Sequence, residues 1–227
     1  MRDGPHVAIA CAMSLDGKLA TAARDPVGFT SRLDRARLHA LRDGVDALLS
    51  GGATIRAEDP PLLPDERRSA GRVARGLRAL PARAVASASL DLPVGRALAP
   101  REGSPVYVFT VTGADPGRRA ALEARGVRVR AFGPTLDFAA SLRCLASEEG
   151  VGRILAEGGG ELNFALLEAG LVDALEVTLC PVVIGGARAP TLADGAGFSR
   201  DALLRATLVA HEAQPTGELF LRYALGG

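Results

Sequence analysis

The stretch "ILAEGGGELNFALLEAGLVDALEVTLCPVVIGG", Ile154 to Gly186, sets three consecutive glycines between a short apolar run and leucines that recur at helical spacing. Read as a buried strand over Ile154–Ala156 and a helix over Glu161–Ala169, it leaves Gly158, Gly159 and Gly160 as the strand-to-helix turn of an α/β fold. Backbone amides point outward at such a helix N-terminus, and missing Cβ atoms let a ligand reach the main chain and tolerate positive φ. The turn therefore either holds a phosphate or uses glycine for geometry alone. It has neither G-x-G-x-x-G spacing nor a GK[ST] ending, so the usual dinucleotide fingerprint and the P-loop are both absent.

Short β-rich runs alternate with helical patterns on either side of this stretch. "HVAIACAM" (6–13), "VDALLS" (45–50), "RAVAS" (83–87), "VYVFTV" (106–111), "RILAE" (153–157) and "ALEVTLCPVVI" (174–184) read as strands of a parallel or mixed sheet covered by helices. Ser31 to Asp43 reads as a helix with Ser31 as N-cap and Gly44 beyond its end. Pro116 opens a second helix that closes before Gly126, and Asp137 caps a third that ends near Gly150. "ATLVAHEAQ" and "GELFLRYAL", parted by Pro215-Thr216, read as an antiparallel hairpin. Residues 59–81, with four prolines and five arginines, read as an exposed excursion with no core of its own.

A second turn resembles the first in kind. "VDALLSGGATIRAEDPPL" runs from an apolar strand through Gly51-Gly52 into a short helical stretch, where Thr54 and Glu58 share one face at i, i+4. Two glycine-bearing strand ends in one sheet suit one elongated ligand such as a dinucleotide; a plain exposed helix surface is the alternative.

Composition narrows the function classes. At 227 residues and 48% hydrophobic content the chain can bury a large core, and a single domain over 1–227 is the expectation. The 27 basic and 26 acidic side chains nearly cancel, so no nucleic-acid partner and no membrane partner is expected. Cys11, Cys144 and Cys180 fit neither a disulfide framework nor zinc-ligand spacing, so no metal is expected. Without a signal-peptide pattern or a membrane span, cytoplasmic residence is the expectation.

"MSLDGKLA" (13–20), "GGATIRAEDPPL" (51–62) and "ILAEGGGELNFALLEAGLVD" followed by "PVVIGG" resemble, in order and separation, the reductase domain of riboflavin-biosynthesis deaminase/reductases. The resemblance implies a single dihydrofolate reductase-like α/β domain: a mixed, mostly parallel sheet flanked by helices, with a C-terminal antiparallel hairpin. It implies NADPH as cofactor, and hydride transfer to a C=N bond of a 5-aminouracil carrying a phosphoribosylamino group. No zinc-deaminase signature precedes the matching segment, so a free-standing reductase is expected, with a homodimer as its assembly.

Position by position, the resemblance implies that Ala12, Thr54, Glu58, Ser89 and the turn Gly158, Gly159, Gly160, Glu161, Leu162 and Asn163 face NADPH. It sets Arg42, Leu62 and Glu157 at the substrate. Glu58, the ionisable group it places at the nicotinamide end, either delivers a proton to the substrate nitrogen or only orients the carboxamide. Asp16 and Lys18 shape the loop after the first strand. His6, His39 and His211 read as structural.

Three positions depart from the family pattern: Glu58 stands where aspartate is usual, Asp65 where a phosphate-binding arginine is frequent, and Pro26 where serine is usual. A carboxylate at a phosphate site is unfavourable unless Arg67 or Arg68 compensates. A dihydropterin reductase, which needs no such contact, is therefore the alternative within the same chemistry. A non-catalytic NADPH or nucleotide sensor is the alternative outside it.

Overall fold

The computed structural model describes residues 4–24 and 28–226, so Pro26 lies outside the described residues. In chain order the elements are β1 (His6–Ser14), α1 (Arg32–Asp43), β2 (Ala47–Gly51), α2 (Gly52–Glu58), α3 (Ser69–Ala74), β3 (Ala82–Ala86), β4 (Val106–Thr110), α4 (Pro116–Glu123), β5 (Arg128–Ala131), α5 (Phe138–Glu149), β6 (Arg153–Ala156), α6 (Gly160–Glu168), β7 (Ala174–Cys180), β8 (Ala206–Ala213) and β9 (Leu219–Leu225). They fall into two compact units, Met1–His6 with His39–Leu155, and Val7–Leu38 with Ala156–Gly227. Strand pairing is mixed and mostly parallel: β1–β7, β2–β3, β3–β4 and β4–β5 pair parallel, whereas β7–β9 and the C-terminal hairpin β8–β9 pair antiparallel, as the sequence pattern requires.

In the first unit the strands run in the order β5-β4-β3-β2-β6. β3 and β4 are buried at every residue, and β2 at all but its last, which is why their sequences read as continuous apolar runs and not as alternation. Arg83 interrupts β3 and is fully buried. Its guanidinium donates to the carbonyls of Ala97 (3.0 Å), Ala99 (2.8 Å) and Ser104 (3.2 Å) and to the Ser104 hydroxyl (3.0 Å), while burial lowers its pKa to about 10. A charge is tolerated there because most of its donors are used.

β5 has no counterpart among the runs picked from the sequence. Its "RVRA" buries Val129 and turns Arg128 and Arg130 over the Tyr107 ring, at 5.3 and 5.9 Å, towards Glu149 and Glu148. Arginines on an edge strand discourage further pairing and also hide the strand from a search for apolar runs.

Residues 59–81 correct the expectation of an excursion without a core. Leu62, Leu63 and Pro64 are buried, a 3-10 turn over Glu66–Arg68 leads into α3, and Arg72 is fully buried. Its guanidinium donates to the carbonyls of Arg42 (3.1 Å), Asp43 (2.8 Å), Val45 (2.9 Å) and Arg78 (2.9 Å). The carbonyls that α1 leaves open at its C-terminus are thus closed by a side chain from the excursion.

In the second unit the order is β1-β7-β9-β8. The sequence run 174–184 predicts a longer strand than is found, because β7 ends at Cys180, before Pro181. Beyond it the Asp16 carboxylate accepts the amides of Ile184 (3.0 Å) and Gly185 (2.7 Å) and the Ser14 hydroxyl (2.6 Å), which lowers its pKa to about 2. Asp16 therefore shapes the loop, as expected. Ser31 caps α1: its hydroxyl oxygen accepts the amides of Leu33 (3.0 Å) and Asp34 (3.2 Å). β8 is exposed along its whole length.

Candidate functional site

The helix caps separate two groups of N-termini. α1 is capped by Ser31, α4 by Asp115 and α5 by Asp137, each through a side-chain oxygen. The N-caps of α2 and α6 are Gly51 and Gly159, and neither offers a side-chain acceptor. First-turn amides therefore lack a side-chain cap at the two helices that follow the glycine turns, as they do at the six-residue α3, whose N-cap is Arg68.

In the first unit the chain passes from β2 directly into α2. Gly52 is buried, and a Cβ there would lie 3.0 Å from both Cβ and Oγ of Ser87 at the end of β3, so glycine is needed for helix-to-strand approach. Thr54 is half-buried and Glu58 exposed on α2. The next residue, Asp59, takes a left-handed conformation (φ 42°) and accepts the amides of Arg96 (2.6 Å) and Ala97 (2.9 Å), fixing the loop after β3.

Ser89 is exposed in that same loop, and its hydroxyl oxygen accepts the amide of Asp91 (3.2 Å). Two guanidiniums hold the turn around it. Arg56 of α2 donates to the Asp91 carbonyl (3.0 Å), and Arg118 of α4 donates to the Ser89 carbonyl (3.1 Å).

Of the residues the resemblance sets at the substrate, Arg42 and Leu62 belong to this unit. Arg42 is buried and donates to the Leu63 carbonyl (3.0 Å); Leu62 is fully buried in a left-handed conformation (φ 47°). Asp65 is exposed, and its carboxylate accepts the amide of Arg67 (3.0 Å), opening the 3-10 turn. Arg68 sits 3.8 Å from the Asp43 carboxylate, which Arg75 approaches at 2.7 Å.

In the second unit the triple-glycine turn is explained by crowding and not by dihedral freedom, since none of its residues has positive φ. A Cβ on Gly158 would lie 2.5 Å from Leu162 Cδ2, and one on Gly160 would lie 2.5 Å from the Thr191 carbonyl oxygen and against the Asp194 carboxylate. Leu162 and Asn163 are buried; the Asn163 amide donates to the Leu192 carbonyl (2.9 Å), and its Oδ1 has no partner among the described residues. Glu161 is exposed, whereas Glu157, Gly158 and Gly159 are half-buried.

Ala12, half-buried near the end of β1, pairs with Thr178 of β7. Thr178 accepts from Arg37 (3.1 Å), which also donates to Glu176 (2.8 Å), and its side chain is hydrogen-bonded to Asp34. Asp34 is a buried carboxyl whose pKa is raised, first by burial and then by the charge of Glu218, against the opposing effects of Thr178, Arg37 and Thr30. Among the described residues it is the one carboxyl group with a resolved upward shift. The sequence reading omits it, although Asp34 and Arg37 at i, i+3 on the inward stripe of an amphipathic helix are a legible signal.

The family model of the RibD C-terminal domain matches residues 5–220. The chain is 34% identical over 195 residues to the 2,5-diamino-6-ribosylamino-4(3H)-pyrimidinone 5′-phosphate reductase of Methanothermobacter thermautotrophicus, covering 86% of each. It is 29% identical over 202 residues to riboflavin biosynthesis protein RibD of Bacillus amyloliquefaciens, where 87% of this chain spans 52% of that protein. A solved pyrimidine reductase-like protein of Corynebacterium diphtheriae shares the fold at a TM-score of 0.86 and 24% identity, over 98% of this chain and 92% of that one. With a match running almost from end to end, the chain belongs to the RibD C-terminal domain family.

Proposed function

We propose that residues 1–227 act as one NADPH-dependent reductase of the phosphoribosylamino-pyrimidine intermediate of riboflavin biosynthesis. The observation that carries this reading is the glycine-capped N-terminus of α6, whose uncapped first-turn amides fit a phosphate of the dinucleotide. Family membership and the reductase name of the Methanothermobacter relative support the reaction class. The groups offered to NADPH are Thr54, Glu58 and Ser89 in the first unit, and Ala12 with Gly158–Asn163 in the second. Arg42, Leu62 and Glu157 are the substrate side.

Bound NADPH supplies the hydride for the C=N carbon. The chain's own task is to orient the partners, exclude water and hold a proton for the nitrogen. Glu58 is one source, exposed on α2; Asp34 is the second, buried and hydrogen-bonded to Thr178, the residue of β7 that pairs with Ala12. Consumption of NADPH, followed by the near-ultraviolet absorbance of the reduced nicotinamide, tests the reading directly. Oxidation with the phosphoribosylamino-pyrimidine supports it, and oxidation with a dihydropterin alone overturns the substrate while leaving the reductase. Binding of NADPH without turnover of either marks a sensor.

β8, exposed throughout and carrying Leu208 and Val209, supports a homodimer, which sedimentation equilibrium tests. No helix among the described residues is long and apolar enough to cross a membrane, and with Cys11, Cys144 and Cys180 all free this supports a cytoplasmic protein.

A further inference from the structure

We propose that Asp59 is the positioning residue for the end of α2: its carboxylate ties the backbone that carries Glu58 to the loop after β3, so that Glu58 is presented to the reacting atoms at one fixed place. The proposal rests on the reading of Glu58 as an acid at the nicotinamide end. α2 has only seven residues, and Glu58 is exposed on its last turn. So short a helix frays at that turn unless the residues beyond it are held.

Three features of the first unit, each unfavourable by itself, converge on Asp59. The first is its backbone. Asp59 stands in the left-handed region at φ 42° and closes α2 by donating its amide to the Ile55 carbonyl (3.1 Å); Leu62, beyond Pro60 and Pro61, is left-handed as well at φ 47°. Residues other than glycine keep such angles where their surroundings impose them. The second is Gly95, whose φ is not positive but where a Cβ would overlap the Asp59 carboxylate, so that the missing side chain is the space the carboxylate occupies. The third is Arg83, a charge buried in the middle of β3. Its guanidinium donates to the Ala97 carbonyl (3.0 Å), and the amide of the same Ala97 donates to Asp59 (2.9 Å).

These contacts make a continuous path from the sheet to Glu58. Arg83 holds Ala97 by its carbonyl, Asp59 holds Ala97 by its amide and takes the Arg96 amide as well (2.6 Å), and Glu58 is the adjoining residue. Ala97 and Leu98 are fully buried, so the loop is a fixed base. Its two amides meet different oxygens of one carboxylate, a charge-assisted arrangement that a neutral side chain cannot reproduce. Past the two prolines the buried Arg42 donates to the Leu63 carbonyl (3.0 Å), so the segment from Glu58 to Leu63 is held at both ends. What this rigidity supplies is placement, since an error of about 1 Å in a group at the reacting atoms can cost about a hundredfold in rate.

Single-turnover oxidation of NADPH by the whole chain with the phosphoribosylamino-pyrimidine, run as a double-mutant cycle, tests the assignment. Asp59→Asn keeps the size and tolerates a left-handed backbone, but replaces one of the two accepting oxygens with an N–H donor. Gly95→Ala displaces the carboxylate and leaves residue 59 unaltered. Each should slow the hydride step about tenfold or more, with NADPH affinity within about twofold of wild type. In a Glu58→Gln chain, already slowed, the same two changes should add little, because a residue that acts through Glu58 has no acid left to place. Unchanged rates in both variants, or losses that multiply in full with that of Glu58→Gln as a merely structural role requires, overturn the positioning role and leave the reading of Glu58 intact. A Glu58→Gln chain that reacts at the wild-type rate overturns that reading and the positioning role together.

Discussion

Glu218, in the turn between β8 and β9, receives both the backbone amide of Ser31 (2.8 Å) and the Ser31 hydroxyl. The C-terminal hairpin thereby fixes the residue that caps α1, and Thr216 completes the arrangement by donating to the same carboxylate (2.9 Å).

Burial alone would raise the pKa of Glu218, but the hydrogen bonds from Ser31 and Thr216 outweigh it and the net shift is downward. A lowered folded-state pKa means that the unfolded chain takes up the proton first as pH falls. The stabilisation is full above the unfolded value of ~4.3 and is lost as pH drops through the folded one. Glu218→Gln should therefore cost about 1–2 kcal/mol near neutrality. In thermal melts at several pH values, its deficit against wild type should narrow below about pH 4. A deficit independent of pH would show that the charge is not what matters.

Neighbouring glycines of the triple turn should fail in different ways. Gly160→Ala drives a methyl into the Thr191 carbonyl and the Asp194 carboxylate, and overpacking of this kind costs about 1–3 kcal/mol in chemical denaturation. Gly159→Val keeps an extended backbone (φ −78°, ψ 174°) open to any residue. Its effect should appear as NADPH affinity reduced about tenfold or more, read by fluorescence titration, with little loss of stability. Equal affinity in Gly159→Val would remove this turn from the cofactor site.

At position 65 the structure gives the carboxylate a local task, accepting the Arg67 amide, while Arg68 lies near Asp43. Asp65→Arg should cost about 0.5–1 kcal/mol of stability through the lost cap. If the substrate carries a phosphate, the same change should lower KM for the phosphoribosylamino-pyrimidine at low salt, with the gain vanishing as ionic strength rises. An unaltered KM at low salt would count against a phosphate contact at this position.

Single-turnover rates separate the two proton sources. Glu58→Gln and Asp34→Asn each keep shape and remove the acid, so the variant at the true source should show a slowed hydride step with NADPH affinity nearly unchanged. Because the pKa of Asp34 is raised, its ionised form costs stability once pH exceeds the unfolded value of ~3.9. Asp34→Asn should accordingly melt no lower than wild type near neutral pH, even if its catalysis is lost.

The sequence carried most of the architecture because its apolar runs are long and its caps are explicit. β2, β3 and β4 are buried almost throughout, and Ser31, Asp115 and Asp137 mark helix starts by their chemistry. β5 escaped because its arginines satisfy Tyr107, Glu148 and Glu149 rather than the pattern of a buried strand. The candidate site was legible where it depends on backbone exposure, at the two glycine turns. Arg56 and Arg118 stayed hidden because their partners, Asp91 and Ser89, lie far away in sequence.

The guanidinium of Arg72 ties residues 42, 43, 45 and 78 into one knot. Residues 59–81 therefore cannot be exchanged as a cassette to change what the enzyme accepts. A transplanted segment without an arginine at this place would leave the end of α1 and the approach to β2 with unsatisfied carbonyls, and the failure would surface as poor folding before any change in selectivity could be read. Remodelling of this segment has to start around Asp65 and Arg67, on its exposed side, with Arg72 retained.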